Sequence, residues 1–155
     1  MSTRAIYTFA PPPMSFFIRS MPAACDSRTE VHVYKHHDGY PYCKFDGGEA
    51  GGLVWINDAK KVAWDLPRFE ADEFAASFVA ANKSAGGGVN LMGNHKPWEY
   101  ASDCEYWYKV TCIDGGLYVT VMSVDWSGDE PRQLPVMEGP LDELLATQRA
   151  RKGVA

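Results

Sequence analysis

The sequence predicts an α+β domain, with a mainly antiparallel sheet of about five strands and two or three helices packed on one of its faces. Three observations carry this. Alternation of apolar and polar residues comes in blocks, at Arg4–Phe9, Glu30–Lys35 and Cys104–Trp126, while helical spacing is confined to the stretch between Gly52 and Asn82 and to the C-terminal end. The longest alternating region is interrupted by Asp114-Gly115-Gly116, a sequence suited to two-residue hairpin loops. The chain has 155 residues, 46% of them hydrophobic, which suits one domain with one core, so residues 1–155 are read as a single unit.

The first strand, Arg4–Phe9, has Glu30–Lys35 as its natural antiparallel partner. Between them residues 10–29 form a long loop or arm. Ala10-Pro11-Pro12-Pro13 cannot continue a ladder, and Phe16, Phe17 and Ile18 suit a segment that folds back on the domain or reaches for a partner. Leu53, Ile56 and Ala63, widened by Trp55, Val62 and Trp64, recur at helical spacing and predict a helix from about Gly52 to Trp64. Pro67 forces Leu66 out of the helical region and is suited to the first turn of a second helix, expected from about Pro67 to Asn82, with Glu70, Asp72 and Glu73 near its N-terminus. Ser84-Ala85-Gly86-Gly87-Gly88 ends that helix. A phosphate-cradling loop precedes a helix, and this glycine run follows one, so it is not read as a nucleotide loop. Val89–Met92 is a short strand. In the hairpin of Cys104–Ile113 with Leu117–Trp126, pairing parity puts Tyr106, Tyr108, Val110 and Cys112 with Leu117, Val119 and Val121 on the core side. Glu105, Trp107, Lys109 and Thr111 then share the other side with Tyr118, Thr120 and Met122. Ser127–Pro131 reads as loop, and residues 140–155 as a C-terminal helix and tail, acidic first at Asp142 and Glu143 and basic last at Arg149, Arg151 and Lys152.

Net charge is −5, from 15 Lys and Arg against 20 Asp and Glu, without long blocks of one sign. Duplex DNA binding, which needs several cations on one surface, is not expected. No apolar run approaches the roughly 18 residues that would cross a bilayer, and the N-terminal residues lack the apolar region of a secretory signal, so the expectation is a cytoplasmic protein without membrane contact. Cys25, Cys43, Cys104 and Cys112 show no Cys-x-x-Cys spacing and are read as free, mostly buried thiols, with Cys104 and Cys112 on one face of one strand.

The chain departs from ordinary domain composition in one place. Three of its four histidines, His32, His36 and His37, lie within six positions and lead into Asp38-Gly39-Tyr40-Pro41. On a strand His32, Tyr34 and His36 point to one side and Val31 and Val33 to the core side, so the former line the open face. His32 and His36 stand about 13 Å apart on a straight strand, too far to share an ion. Metal ligation is thereby left to His36 with Asp38, or to His37 with a distant residue, His95 or Asp103 being available. Acid–base chemistry would use His36 or His37 oriented by Asp38, Asp103 or Glu105, but neither Gly-x-Ser-x-Gly nor His-Glu-x-x-His accompanies them. Recognition uses Tyr34, His36, His37, Asp38 and Tyr40, with Trp107 beside them, as an aromatic, hydrogen-bonding patch for a protein or a nucleotide. That reading is preferred, since a turn by itself requires only Asp38, Gly39 and Pro41. These six residues are the candidate binding residues; no catalytic residue, metal or cofactor is assigned, and a purely structural turn stays the alternative.

Tyr34-Lys35-His36-His37-Asp38-Gly39-Tyr40-Pro41, the stretch Trp64–Phe74 and Cys104-Glu105-Tyr106 together resemble a family of small uncharacterised proteins encoded by bacteriophages and prophages, over most of Glu30 to Val121. Pro11–Thr29 is longer than the short hairpin of that family. The resemblance implies a context and no activity: a small cytoplasmic accessory protein that acts by binding a host protein, as an inhibitor of a host defence complex would. Sequestration of a small nucleotide ligand is the alternative, and a metal-dependent hydrolase built on His36-His37-Asp38 a further one. Oligomeric state is left open.

Overall fold

The computed structural model describes residues 3–12, 30–63, 69–83, 88–93 and 103–153. In chain order these form β1 (Ala5–Phe9), β2 (Val31–Lys35), β3 (Cys43–Phe45), β4 (Gly48–Ala50), α1 (Gly52–Val62), α2 (Ala71–Asn82), β5 (Val89–Met92), β6 (Tyr106–Ile113), β7 (Gly116–Asp125), β8 (Arg132–Pro140) and α3 (Leu141–Gly153). Six strands make one sheet in the order β5-β2-β1-β6-β7-β8, while β3 and β4 form a separate ribbon. The class is the α+β expected. The sheet is larger than expected and mixed, because β1 pairs antiparallel with β2 on one side and parallel with β6 on the other, so that Tyr7 lies between Val33 and Tyr108.

The three helices among the described residues cover one face. Ala5, Tyr7, Phe9, Val33, Tyr108, Val110, Val119 and Val121 meet Leu53 and Ile56 of α1, Phe74 and Phe78 of α2 and Leu141 and Leu145 of α3 in one buried cluster. Burying side chains of this size stabilises by roughly 1.5–3 kcal/mol each. Tyr7 stacks on Tyr108 with ring centroids 4.7 Å apart, and Phe78 closes on Tyr7 at 4.5 Å. The β6–β7 hairpin has the expected parity. Ile113 pairs with Gly116, so Asp114 and Gly115 are the loop, both at positive φ (51° and 76°), the combination of a type I′ turn. Entry to α1 depends on Gly51, at φ 119°, and on Gly52, where any Cβ would be driven into the Tyr108 ring.

Several expectations need correction. Ala63 is extended and ends α1 at Val62, and the extended Glu70 is the residue before α2, so α2 opens at Ala71 and Pro67 is not its first turn; Trp64 and Pro67 themselves lie outside the described residues. Cys104 and Cys112 do not share a face. β6 begins only at Tyr106, so the alternation does not reach Cys104, which packs with Ile6 in a second cluster on the opposite side of the sheet. Burial pushes its thiol up to about 12. Cys104 and Cys112 are buried and Cys43 half-buried, none of the three in a disulfide among the described residues, while Cys25 lies outside them. Of the 10–29 arm only Ala10, Pro11 and Pro12 are described, tied down where Ala10 N donates to Val110 O and Thr111 Oγ1 to Pro11 O; Phe16, Phe17 and Ile18 lie outside. No helix among the described residues is long and apolar enough to cross a membrane.

β8 replaces the expected end of the sheet at β7. The hairpin closes at Ile113 and Gly116, and Val124 N donates to Glu105 O, so the even-numbered residues of β7 bond to β6 and the odd-numbered ones to β8. Pro135 opposite Met122 and Pro140 opposite Tyr118 therefore fall at positions facing away from β7. Both prolines place their missing N–H on the outer edge, and a bulge between Val121 and Met122 distorts the ladder further. The edge is blunted against addition of another strand.

Candidate functional site

The backbone after β2 is held by the elements around it. Gly39 N donates to Thr3 O at 2.8 Å, and Tyr108 Oη donates to Gly39 O at 2.6 Å. Tyr40 O and Pro41 O accept Gly52 N and Leu53 N at 2.8 and 3.2 Å, filling the start of α1 that a helix otherwise leaves unpaired. Trp55 Nε1 donates to Asp38 O at 3.2 Å. A Cβ on Gly39 would come within 2.7 Å of Ala5 Cβ. Asp38 sits at φ 56°, a conformation Asp tolerates better than most residues, and its carboxylate accepts Tyr40 Oη at 3.0 Å. Burial, together with that bond, pushes the Tyr40 phenol up to about 12. Lys35, only 4% exposed, donates to His37 O at 3.1 Å and lies 4.7 Å over the Trp55 ring. Burial lowers its pKa, with Asp38 opposing. Asp38, Tyr40 and Lys35 thus fasten the turn to α1, which is the structural role weighed against recognition.

The histidines go the other way. His36 N donates to Gly88 O beside β5, Tyr34 Oη and His36 Nδ1 are 2.9 Å apart, and the exposed His37 meets the His36 ring edge-on at 4.6 Å. Tyr34 belongs to the face of the sheet that is helix-free among the described residues, as does Trp107 on β6, two strands away. Trp107 Nε1 donates to Thr8 Oγ1 at 2.6 Å, and Thr8 Oγ1 lies 2.7 Å from His32 Nδ1. An indole N–H can only donate, so the Thr8 hydroxyl accepts from Trp107 and has its own proton to offer His32 Nδ1, an arrangement that suits a neutral imidazole. Burial acts in the same direction, lowering the His32 pKa, with Glu30 opposing. Trp126 Nε1 donates to Cys104 O at 2.7 Å. The buried Ile6 and Cys104 are thus ringed by Tyr34, Met92, Trp107, Val124 and Trp126, all half-buried. Ile6, Cys104, Trp107, Val124, Trp126, Pro131 and Gln133 line a shallow apolar pocket with room for about 10 Å³, the space of a single water.

The six candidate residues therefore divide. Tyr34, His36 and His37 come together, Trp107 shares the sheet face of Tyr34, and Asp38 and Tyr40 turn toward α1. Asp38 is bonded to Tyr40, and Asp103 pairs with Arg4. Among the described residues no three His, Cys, Asp or Glu side chains gather as a metal site; His95 lies outside them. Thr8, Val124 and Trp126 were not singled out beforehand. Parity could have found them, since Trp126 and Val124 continue the row of Tyr118, Thr120 and Met122, and Thr8 falls between Tyr7 and Phe9 on the side away from the core. Large apolar side chains are also exposed at Phe45 (54%) and Val62 (55%), on the β3–β4 ribbon and the end of α1. Comparison with known proteins finds no matching family model, no matching curated protein and no matching solved structure.

Proposed function

We propose that the protein acts by binding a host protein, as a small bacteriophage or prophage accessory protein that inhibits a host defence complex, and that it does so through the helix-free face of its sheet. What supports this reading is how the aromatic side chains of that face are held. Tyr34 is bonded to His36, Trp107 to Thr8 and Trp126 to Cys104 O, so their polar ends are satisfied inside the domain while their rings stay half-buried at its surface. Rings fixed in this way lose little entropy when a partner covers them, and tyrosine and tryptophan in such positions are frequent binding anchors. The exposed His37 and the neighbouring His36 extend the same surface at the β5 end of the sheet.

Native mass spectrometry of the tagged protein purified from its host tests the reading. A stoichiometric protein partner is expected with the wild type, and its loss with a Tyr34→Ala, Trp126→Ala double variant shown to remain folded. A retained nucleotide would replace this reading with ligand sequestration, and stoichiometric zinc or manganese would replace it with metal-dependent chemistry.

A further inference from the structure

We propose that the Trp126 end of the helix-free face receives an arginine side chain from a basic segment of the partner. The inference rests on the binding reading above and adds the chemistry of what is bound. Flat shape and positive charge together select this occupant. The pocket between Trp126, Val124 and Pro131 has room for about 10 Å³, so a side chain lies across it and does not enter it. A flat group can lie across it. The Trp126 indole lines it, half-buried, with its N–H already committed to Cys104 O.

The carboxylates give the sign. Asp103 and Glu105 flank Cys104, and Asp125, Asp129 and Glu130 flank Trp126 and Pro131. The nearby cations are already engaged, Arg4 by Asp103 and Arg132 by Asp125, the latter at 2.8 Å. Glu105, Asp129 and Glu130 have no cation paired with them among the described residues, which leaves this end of the sheet negative. A phosphate or acidic peptide would be repelled. Strand addition is no competing mode, since Pro135 and Pro140 blunt the adjoining edge of β8. Arginine meets both conditions: its methylene stem covers apolar wall, its guanidinium stacks on an indole, and its forked N–H groups reach carboxylates beyond the ring. Lysine carries the same charge but holds its hydration more tightly and does not stack.

The test is a titration of ¹⁵N-labelled protein, read at the Trp126 indole N–H resonance, with a capped Gly-Arg-Gly-Arg-Gly peptide and with the same peptide carrying citrulline or lysine for arginine. The arginine peptide should shift the resonance saturably, with citrulline at least about tenfold weaker, lysine between them, and affinity falling as salt is added. Glu105→Gln combined with Glu130→Gln, both at exposed positions, should weaken the arginine peptide about threefold or more without altering the fold. Equal binding of the citrulline peptide, no saturable shift, or an arginine affinity untouched by the glutamine pair would overturn the proposal. Partner capture from the host separates the two readings. Capture that survives the glutamine pair and is lost with Tyr34→Ala would sink the arginine site and leave the binding face standing. Absence of any captured partner would sink the binding reading, while the peptide titration still decides the site.

Discussion

The two faces of the central sheet use the same residue types for opposite ends. Toward the helices, Tyr7 and Tyr108 are fully buried and stacked, and the Tyr108 hydroxyl reaches through the core to fasten Gly39. Away from the helices, Tyr34, Trp107 and Trp126 are bonded at their polar ends and keep part of their rings at the surface. The first arrangement closes the domain: the turn after β2 and Gly52 at the start of α1 both meet Tyr108 within the core that the helices share. The second adds aromatic surface beyond what closure needs. Among the described residues, a tyrosine or tryptophan on a strand is therefore read by which face its parity gives it, and those of the helix-free face are the candidates for contact with another molecule.

The contrast can be broken or sharpened by substitution, beginning with the largest effect. Gly52→Ala drives a methyl into the Tyr108 ring and should destabilise by about 3 kcal/mol or more, or abolish folding, in urea denaturation. A cost below about 1 kcal/mol would mean that the α1–Tyr108 contact is looser than the closed face requires. Next come paired phenol deletions. Tyr108→Phe leaves a buried Gly39 carbonyl without its donor and should cost about 2 kcal/mol, whereas Tyr34→Phe on the other face should stay within about 0.5 kcal/mol; equal costs would erase the distinction between the faces. Tyr7→Phe should do the reverse and stabilise by about 1 kcal/mol, because Tyr7 Oη is buried with no hydrogen-bond partner among the described residues. Destabilisation would instead reveal a bound water there.

The pH dependence of the helix-free face follows from His32. Its folded pKa is lowered from 6.5, so the unfolded chain binds the proton first as pH falls, and stability drops from about pH 6.5 down to the folded pKa, below which this contribution levels off. Above pH 6.5 the group is neutral in both states and contributes no slope. Comparing wild type with His32→Gln between about pH 5 and 8 isolates this contribution, which disappears in the variant if the Trp107–Thr8–His32 chain holds the imidazole neutral. An unchanged slope would place the proton elsewhere.

Much of this was legible from alternation. Strand parity placed Val33, Tyr108, Val110, Val119 and Val121 in the core and Tyr34 and Trp107 opposite, because a period of two leaves no intermediate choice. Where the chain hid its structure, particular residues did the hiding. Pro135 and Pro140 mask β8, and only the bonding parity of β7 shows that both sit harmlessly on the outer edge. The short ribbon Cys43–Phe45 with Gly48–Ala50 has strands of three residues, too short for a periodic signal. The parallel pairing of β1 with β6 joins residues about a hundred positions apart, which no local pattern encodes. At the candidate site the cluster of His36, His37, Asp38 and Tyr40 was visible but its division was not. Asp38 and Tyr40 are drawn to α1 by contacts of Tyr40 O and Pro41 O with Gly52 and Leu53 that depend on the tertiary fold.

The claim that contact is made by the helix-free face is tested most directly by setting two double variants against each other in partner capture from the host, with melting temperatures measured alongside. One removes Tyr34 and Trp126 as alanines; the other changes the most accessible apolar residues of the ribbon and α1, Phe45→Ala with Val62→Ser. The first should remain folded, with a melting temperature lowered by the lost packing, and lose the partner, while the second retains it. Retention by the first and loss by the second would contradict it and move the contact surface to the ribbon and the end of α1.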